Sequence, residues 1–139
     1  MRTLIDTCVL SEVRKPKPDG GVRAKLESIP ADDFFLSVVT IGELVRGIAL
    51  LKKSKRRSSL EAWVRTIEEE HAERVLPVDA RIARLWGEID ATAKKAGLAM
   101  AVADGLIAAT ALHHDLVLMT RNTADLLSVD VRIDNPWEL

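Results

Sequence analysis

Three acids and one short segment carry most of the chemistry available to this 139-residue chain: Asp6, Glu43, Asp104 and the run Thr120-Arg121-Asn122-Thr123-Ala124-Asp125. Each acid follows an apolar run of strand character or stands near the start of an expected helix. In an open parallel α/β sheet the carboxyl ends of strands and the starts of helices share one edge, and ligands bind there. Acids scattered through the chain could therefore converge on one cleft. Crowded carboxylates repel one another and stay ionised together only beside a cation. Oxygen-only donors select a hard cation, Mg²⁺ or Mn²⁺. Phosphodiester hydrolysis is the chemistry such a centre suits best.

The elements that must position these residues follow from apolar periodicity and from punctuation by caps. Residues 2–6 read as a short strand, with Thr7 able to cap the next element. Asp19 caps a helix over roughly 20–28, which ends before Pro30. The run 34–38 is β-rich and apolar, a buried strand by composition. A helix from Thr40 to about Leu51 comes next, then the basic break Lys52-Lys53-Ser54-Lys55-Arg56-Arg57 and a second helix over 58–71. Residues 74–78 form another strand. Asp79 then caps a long helix to about Lys95, with Ile82, Leu85, Trp86 and Ile89 on one stripe, and Gly97 stops it. Residues 102–113 make an alanine-rich helix, 116–120 a strand, 123–127 a helical turn and 131–133 a last strand. Strands alternating with helices imply an α/β fold with a mostly parallel sheet.

Each candidate has a plainer reading beside the chemical one. Asp6, taken alone, is more often a turn or cap residue. Its place beside a buried strand end favours function, because a bare carboxylate is costly to desolvate. Thr40-Ile41-Gly42-Glu43 has the spacing of a capping box, which would occupy the Glu43 oxygens. Asp104 is the most telling acid. Ala108 and Ala111 share its helix face, and small residues let a helix approach a sheet closely enough to bury the acid. Asn122 fits a turn and Asp125 the surface of a short helix. Thr120 could orient a carboxylate, and Arg121 could neutralise charge or contact phosphate. Asp79 is accounted for as a helix cap. Cys8, the only cysteine, hints at a nucleophile but is more often a small core residue. His71, His113 and His114 lack zinc spacing.

Composition sets the outer limits. The length suits a single domain over residues 1–139. The net charge of −1 argues against a dedicated nucleic-acid coat but leaves room for a local basic patch such as 52–57. One cysteine excludes an intrachain disulfide and fits a reducing compartment. The N-terminus has no signal-peptide pattern, and the most apolar stretch, 96–112, is interrupted by Asp104. A cytoplasmic protein without membrane association is expected. There is no glycine-rich phosphate loop.

In this order and spacing, several segments together resemble the PIN-domain family, specifically the VapC-type toxins of toxin–antitoxin pairs and their FitB-like branch. They are Leu4-Ile5-Asp6-Thr7-Cys8-Val9-Leu10-Ser11-Glu12, Ser37-Val38-Val39-Thr40-Ile41-Gly42-Glu43-Leu44 with Gly47, Asp104-Gly105-Leu106-Ile107-Ala108-Ala109-Thr110-Ala111, Thr120-Arg121-Asn122 and Asn135-Pro136-Trp137. The resemblance implies a three-layer α/β/α sandwich and a Mg²⁺- or Mn²⁺-dependent ribonuclease acting on RNA. It also implies a homodimer and an inhibitory VapB-type antitoxin, through which alone DNA would be reached. Asp6, Glu43 and Asp104 match the family's acidic triad. Several relatives carry a fourth acid where this chain has Asn122, and Asp125 stands three residues on to supply that charge. In this reading Asp6 and Asp104 hold the metal, and Glu43 positions or deprotonates the attacking water. Thr120 with Asn122 or Asp125 completes the surroundings. Two other readings compete. One is a receiver-like phospho-accepting signalling module with Asp79 as acceptor, which lacks a lysine after the last strand and leaves Glu43 idle. The other is a catalytically inert PIN-like interaction domain.

Overall fold

The computed structural model describes residues 1–138; Leu139, the last residue of the expected domain, lies outside the described residues. Five strands join one parallel sheet in the order β3-β2-β1-β4-β5: β1 Thr3–Ile5, β2 Phe34–Ser37, β3 Val75–Leu76, β4 Val117–Met119 and β5 Ile133–Asp134. Six helices connect them: α1 Thr7–Val13, α2 Gly20–Glu27, α3 Val38–Ala49, α4 Lys55–Glu70, α5 Ala80–Lys95 and α6 Val102–His113.

Alternation along the strands sorts the core into two layers. Ile5, Leu36 and Met119 join residues of α1 to α4, including Val9, Val22, Leu44 and Ile67, on one face. Leu4 and Leu118, with Phe35, join Ile107, Ala108 and Ala111 of α6 on the other. Helix α5 packs outside α6 through Ile82, Ile89 and Ala109. The α/β/α sandwich expected from the sequence is the fold observed. Among the described residues no helix is long and apolar enough to cross a membrane.

Most boundaries fall within a few residues of expectation, and the departures have local causes. Thr7 does not cap the first helix. Asp6 does, with the Thr7 N–H donating to Asp6 Oδ1 at 2.7 Å, and α1 carries Ser11 one turn after Thr7. Helix α3 starts at Val38 instead of Thr40, because Ser37 is its cap and accepts from the Val39 N–H at 3.0 Å. The basic break is shorter than expected. Ser54 accepts from the Arg57 N–H at 3.1 Å and starts α4 at Lys55, so Arg56 and Arg57 are helical. The last strand lies at 133–134 instead of 131–133, paired with Leu118 and Met119.

Two glycines shape the α5–α6 pair. Gly97 adopts φ +77 and turns the chain out of α5, as expected of a helix stop. A Cβ on Gly105 would stand 2.7 Å from the Trp86 ring, so only glycine lets α6 lie this close to α5.

Strand order decides where a ligand can sit. β1 is central, with β2 and β3 to one side and β4 and β5 to the other. The order reverses between β1 and β4, and the crevice of such a sheet opens beyond the carboxyl ends of those two strands.

Candidate functional site

Asp6 is the first residue past β1. Its backbone N–H still donates to Met119 O of β4 at 3.0 Å, which fixes the acid at the point where strand order reverses. It is only 6% exposed. Oδ1 accepts from the Thr7 N–H, and Oδ2 accepts from Thr120 Oγ1 at 2.7 Å. Thr120 is the first residue past β4 and is fully buried; its hydroxyl oxygen also accepts from the Asn122 N–H at 3.0 Å. The Thr120 hydroxyl thus joins the Asp6 carboxylate to the turn that carries Asn122.

Glu43 lies on the second turn of α3. With Ser37 as the cap, the capping-box role falls away and its oxygens are free for other partners. Oε1 accepts from Thr7 Oγ1 at 2.7 Å, while Thr40 Oγ1 lies 3.2 Å from the same Thr7 oxygen. Asp104, in the first turn of α6, accepts from Asn122 Nδ2 at 3.1 Å. As placed, Asn122 thus turns a donor towards Asp104.

Asp6, Glu43, Asp104 and Asn122 line one cleft of about 560 Å³, together with Thr7, Cys8, Ser11 and Arg121. Asp125, on the short 3₁₀ turn Ala124–Leu126, does not line it, but its charge is felt there. Burial first, then the charges of Asp6, Glu43 and Asp125, push the Asp104 carboxyl up to about 6, against which the Asn122 hydrogen bond works. Among the described residues no three acidic, imidazole or thiol groups close on a single point. The carboxylates face their hydroxyl, amide and backbone partners instead.

Cys8 sits 3.6 Å from Asp6 Oδ2. Burial, then the Asp6 charge, raises its thiol, so it stays protonated and is a poor nucleophile. Asp79 caps α5, accepting from the Ile82 N–H at 3.0 Å. It follows edge strand β3 and is not among the residues lining the cleft, which removes the acceptor that a receiver-like reading required.

Sequence reasoning misses Thr7, Thr40 and Ser11 as site residues. The available signal is the Thr7–Ser11 spacing of four on a helix directly after the first acid, and it depends on seeing α1. A second hollow of about 350 Å³ adjoins the cleft and shares Thr7, Ser11 and Glu43 with it; Leu44, Gly47, Ile48, Leu51, Leu60 and Trp63 give it an apolar floor. Arg14, Lys15 and Arg56 also line it, so part of the expected basic patch does lie beside the acids.

A PIN domain family model matches residues 3–131. The chain is 41% identical over 135 residues to Toxin FitB of Neisseria gonorrhoeae, covering 96% of this chain and 97% of that protein. It is 35% identical over 136 residues to VapC ribonuclease Y4jK of Sinorhizobium fredii, covering 97% of each. Among solved structures, it superposes on the crystal structure of FitAcB from Neisseria gonorrhoeae with a TM-score of 0.92 and 40% identity, over 99% of both chains.

Proposed function

This chain belongs to the PIN-domain family, and from that premise we propose that it is a divalent-metal-dependent endoribonuclease, the toxin of a toxin–antitoxin pair. One observation carries the reading: Asp6 just past β1, Glu43 from α3 and Asp104 from α6 line a single cleft, where burial and then their mutual repulsion raise the Asp104 carboxyl. A divalent cation relieves that repulsion, and an all-oxygen donor set suits a hard one, so these residues fit Mg²⁺ or Mn²⁺. The relatives named a toxin and a ribonuclease support the same reading.

Asp6 and Asp104 would hold the cation. When bound, it lowers the pKa of water and offsets negative charge on the phosphate. The residues of the chain supply the rest. Thr120 and the Thr7 N–H fix both oxygens of Asp6, so one ligand is oriented in advance. Glu43, steered by Thr7, accepts the proton of the attacking water as its oxygen bonds to phosphorus. The opposite P–O bond breaks in line, and the departing ribose oxygen takes up a proton from solvent. Asn122 and the charge of Asp125 adjust Asp104.

A free ribonuclease endangers its host, so an inhibitor is part of the proposal. The apolar hollow over α3 and α4 opens onto Glu43, and an inhibitor segment seated there would deliver an arginine to the carboxylates, which pair bidentately with guanidinium. We extend the proposal to a homodimer that meets DNA only through the inhibitor. Purified protein should cleave RNA with Mg²⁺ or Mn²⁺ and stop in EDTA, while Asp6→Asn and Asp104→Asn should each abolish cleavage without loss of fold. Full activity in either variant removes the site assignment.

A further inference from the structure

Among the described residues, Arg121 is the only cationic side chain that lines the acidic cleft. Its neighbours in that lining include Asp6, Glu43 and Asp104, and an arginine among carboxylates ordinarily collapses onto one of them. Arg121 takes part in no ion pair among the described residues. Its guanidinium lies instead over the ring of Trp137, 5.0 Å from the centroid.

Trp137 is itself held from two sides. Its backbone N–H donates to Asn135 Oδ1 at 3.0 Å, and its body packs against the cluster of Ile5, Val9 and Val22. Beside it lies buried Glu12, which accepts from Lys15 Nζ at 3.0 Å and from the Asp19 N–H at 3.1 Å. Those two bonds, with the Trp137 side chain contributing, keep the Glu12 carboxyl below the usual range. Trp137 is thus a fixed surface beneath Arg121, and a guanidinium gains by lying over it.

We propose that Trp137 is a positioning residue that holds Arg121 off the cleft carboxylates, keeping those oxygens for the cation and the guanidinium for a phosphate of the RNA strand. This rests on the ribonuclease reading and adds two residues to it. If Arg121 were released, it would compete with the cation for Asp6, Glu43 and Asp104. If it were removed, the cation would bind as before but the strand would lose one charge contact.

The test measures Mn²⁺ binding by calorimetry without RNA, and RNA binding and cleavage separately. Arg121→Gln should leave Mn²⁺ affinity equal to or above that of the wild type. It should raise KM for a single-stranded oligoribonucleotide roughly tenfold and reduce the log–log salt slope of RNA binding by about 0.7, the value for one phosphate contact. Trp137→Leu should weaken Mn²⁺ binding about fivefold or more, and Trp137→Phe, which keeps a flat face, should not. The Arg121→Gln/Trp137→Leu double variant should regain Mn²⁺ affinity, because the competitor is gone. Arg121→Lys reads the same competition without touching Trp137: a lysine keeps the charge but stacks poorly, so Mn²⁺ binding should weaken where Arg121→Gln leaves it intact. Mn²⁺ affinity of Arg121→Lys equal to that of the wild type overturns the proposal, as does a double variant no better than Trp137→Leu. Wild-type protein that neither binds Mn²⁺ nor cuts RNA overturns the ribonuclease reading itself, a separate outcome.

Discussion

The Thr120 hydroxyl donates to Asp6 Oδ2 at 2.7 Å, joining the ends of β4 and β1 where the strand order reverses. The same oxygen accepts the Asn122 N–H, so one buried side chain aligns both Asp6 and the turn that carries Asn122. Thr120→Val keeps the shape but leaves a carboxylate oxygen and a backbone donor without that partner. It should cost about 1–3 kcal/mol of stability in urea titration and lower cleavage well beyond that loss of folded protein. Thr120→Ser should retain most of both. Wild-type cleavage by Thr120→Val would show that Asp6 needs no orientation.

Asp104 makes the metal-free protein sensitive to pH in a defined direction. Its folded carboxyl titrates near 6 against an ordinary value of 3.8, so the folded chain holds the proton more tightly than the unfolded one. Below both values the acid is protonated in either state and its ionisation costs nothing. As pH rises through that window, wild type should lose stability relative to Asp104→Asn, and the difference should level off above 6. Two pK units correspond to roughly 3 kcal/mol. Half-exposure and solvent screening reduce this to about 1–2 kcal/mol. Thermal melts across the window, with and without millimolar Mg²⁺, check it: the cation should erase the penalty in wild type and do little in Asp104→Asn. A pH-independent difference would mean that Asp104 is neither desolvated nor crowded by the other carboxylates.

Glu43 should separate chemistry from folding. Glu43→Gln keeps an oxygen for the Thr7 hydroxyl at the position now 2.7 Å away but cannot take a proton. The variant should melt no lower than wild type, because one of the charges facing Asp104 is gone, and lose about 10²–10⁴ in kcat. Thr7→Val, which frees the carboxylate without removing it, should lose less. A Glu43→Gln enzyme within tenfold of wild type would assign the base elsewhere.

The strand–helix order, the parallel sheet and the convergence of three acids were legible in the sequence because each leaves a local mark: Asp6 ends an apolar run, and Glu43 and Asp104 stand within the opening turns of helices. What was not legible depends on contacts made across the sheet. Nothing local distinguishes Ser37 from Thr40 as the cap of α3, yet the choice decides whether Glu43 bonds its own backbone or Thr7. Similarly, Asp79 looks like a strand-end acid until β3 is found at the edge, away from the crevice. The stack of Arg121 on Trp137 joins two segments whose neighbourhood only the fold reveals.

Asp125 tests whether a charge outside the cleft serves the site. It raises Asp104 without lining the cavity. Asp125→Ala should therefore raise the Mg²⁺ concentration needed for half-maximal cleavage several-fold. Asn122→Asp replaces a donor to Asp104 with a second carboxylate, and should lower that concentration while destabilising the metal-free protein. An unchanged Mg²⁺ titration in Asp125→Ala would leave a site run on three acids.

The proposed seat of an inhibitor is best tested where substitution spares the fold. Leu44 and Ile48 are 6% and 8% exposed and belong to the core beneath α3, so charges there would unfold the protein as readily as they repel a partner. Gly47 lines the same hollow, and a Cβ built on it meets nothing within 4 Å. Gly47→Glu replaces a poor helix former inside α3, a gain that the like charge of Glu43 one turn back only partly offsets, and should keep the melting temperature close to wild type. It also sets bulk and negative charge in the apolar floor beside Glu43. Co-expression with a neighbouring small DNA-binding protein should give a complex that no longer cuts RNA, and Gly47→Glu should weaken that complex at least tenfold. Undiminished inhibition of a well-folded Gly47→Glu enzyme would place the inhibitor on another face of the molecule.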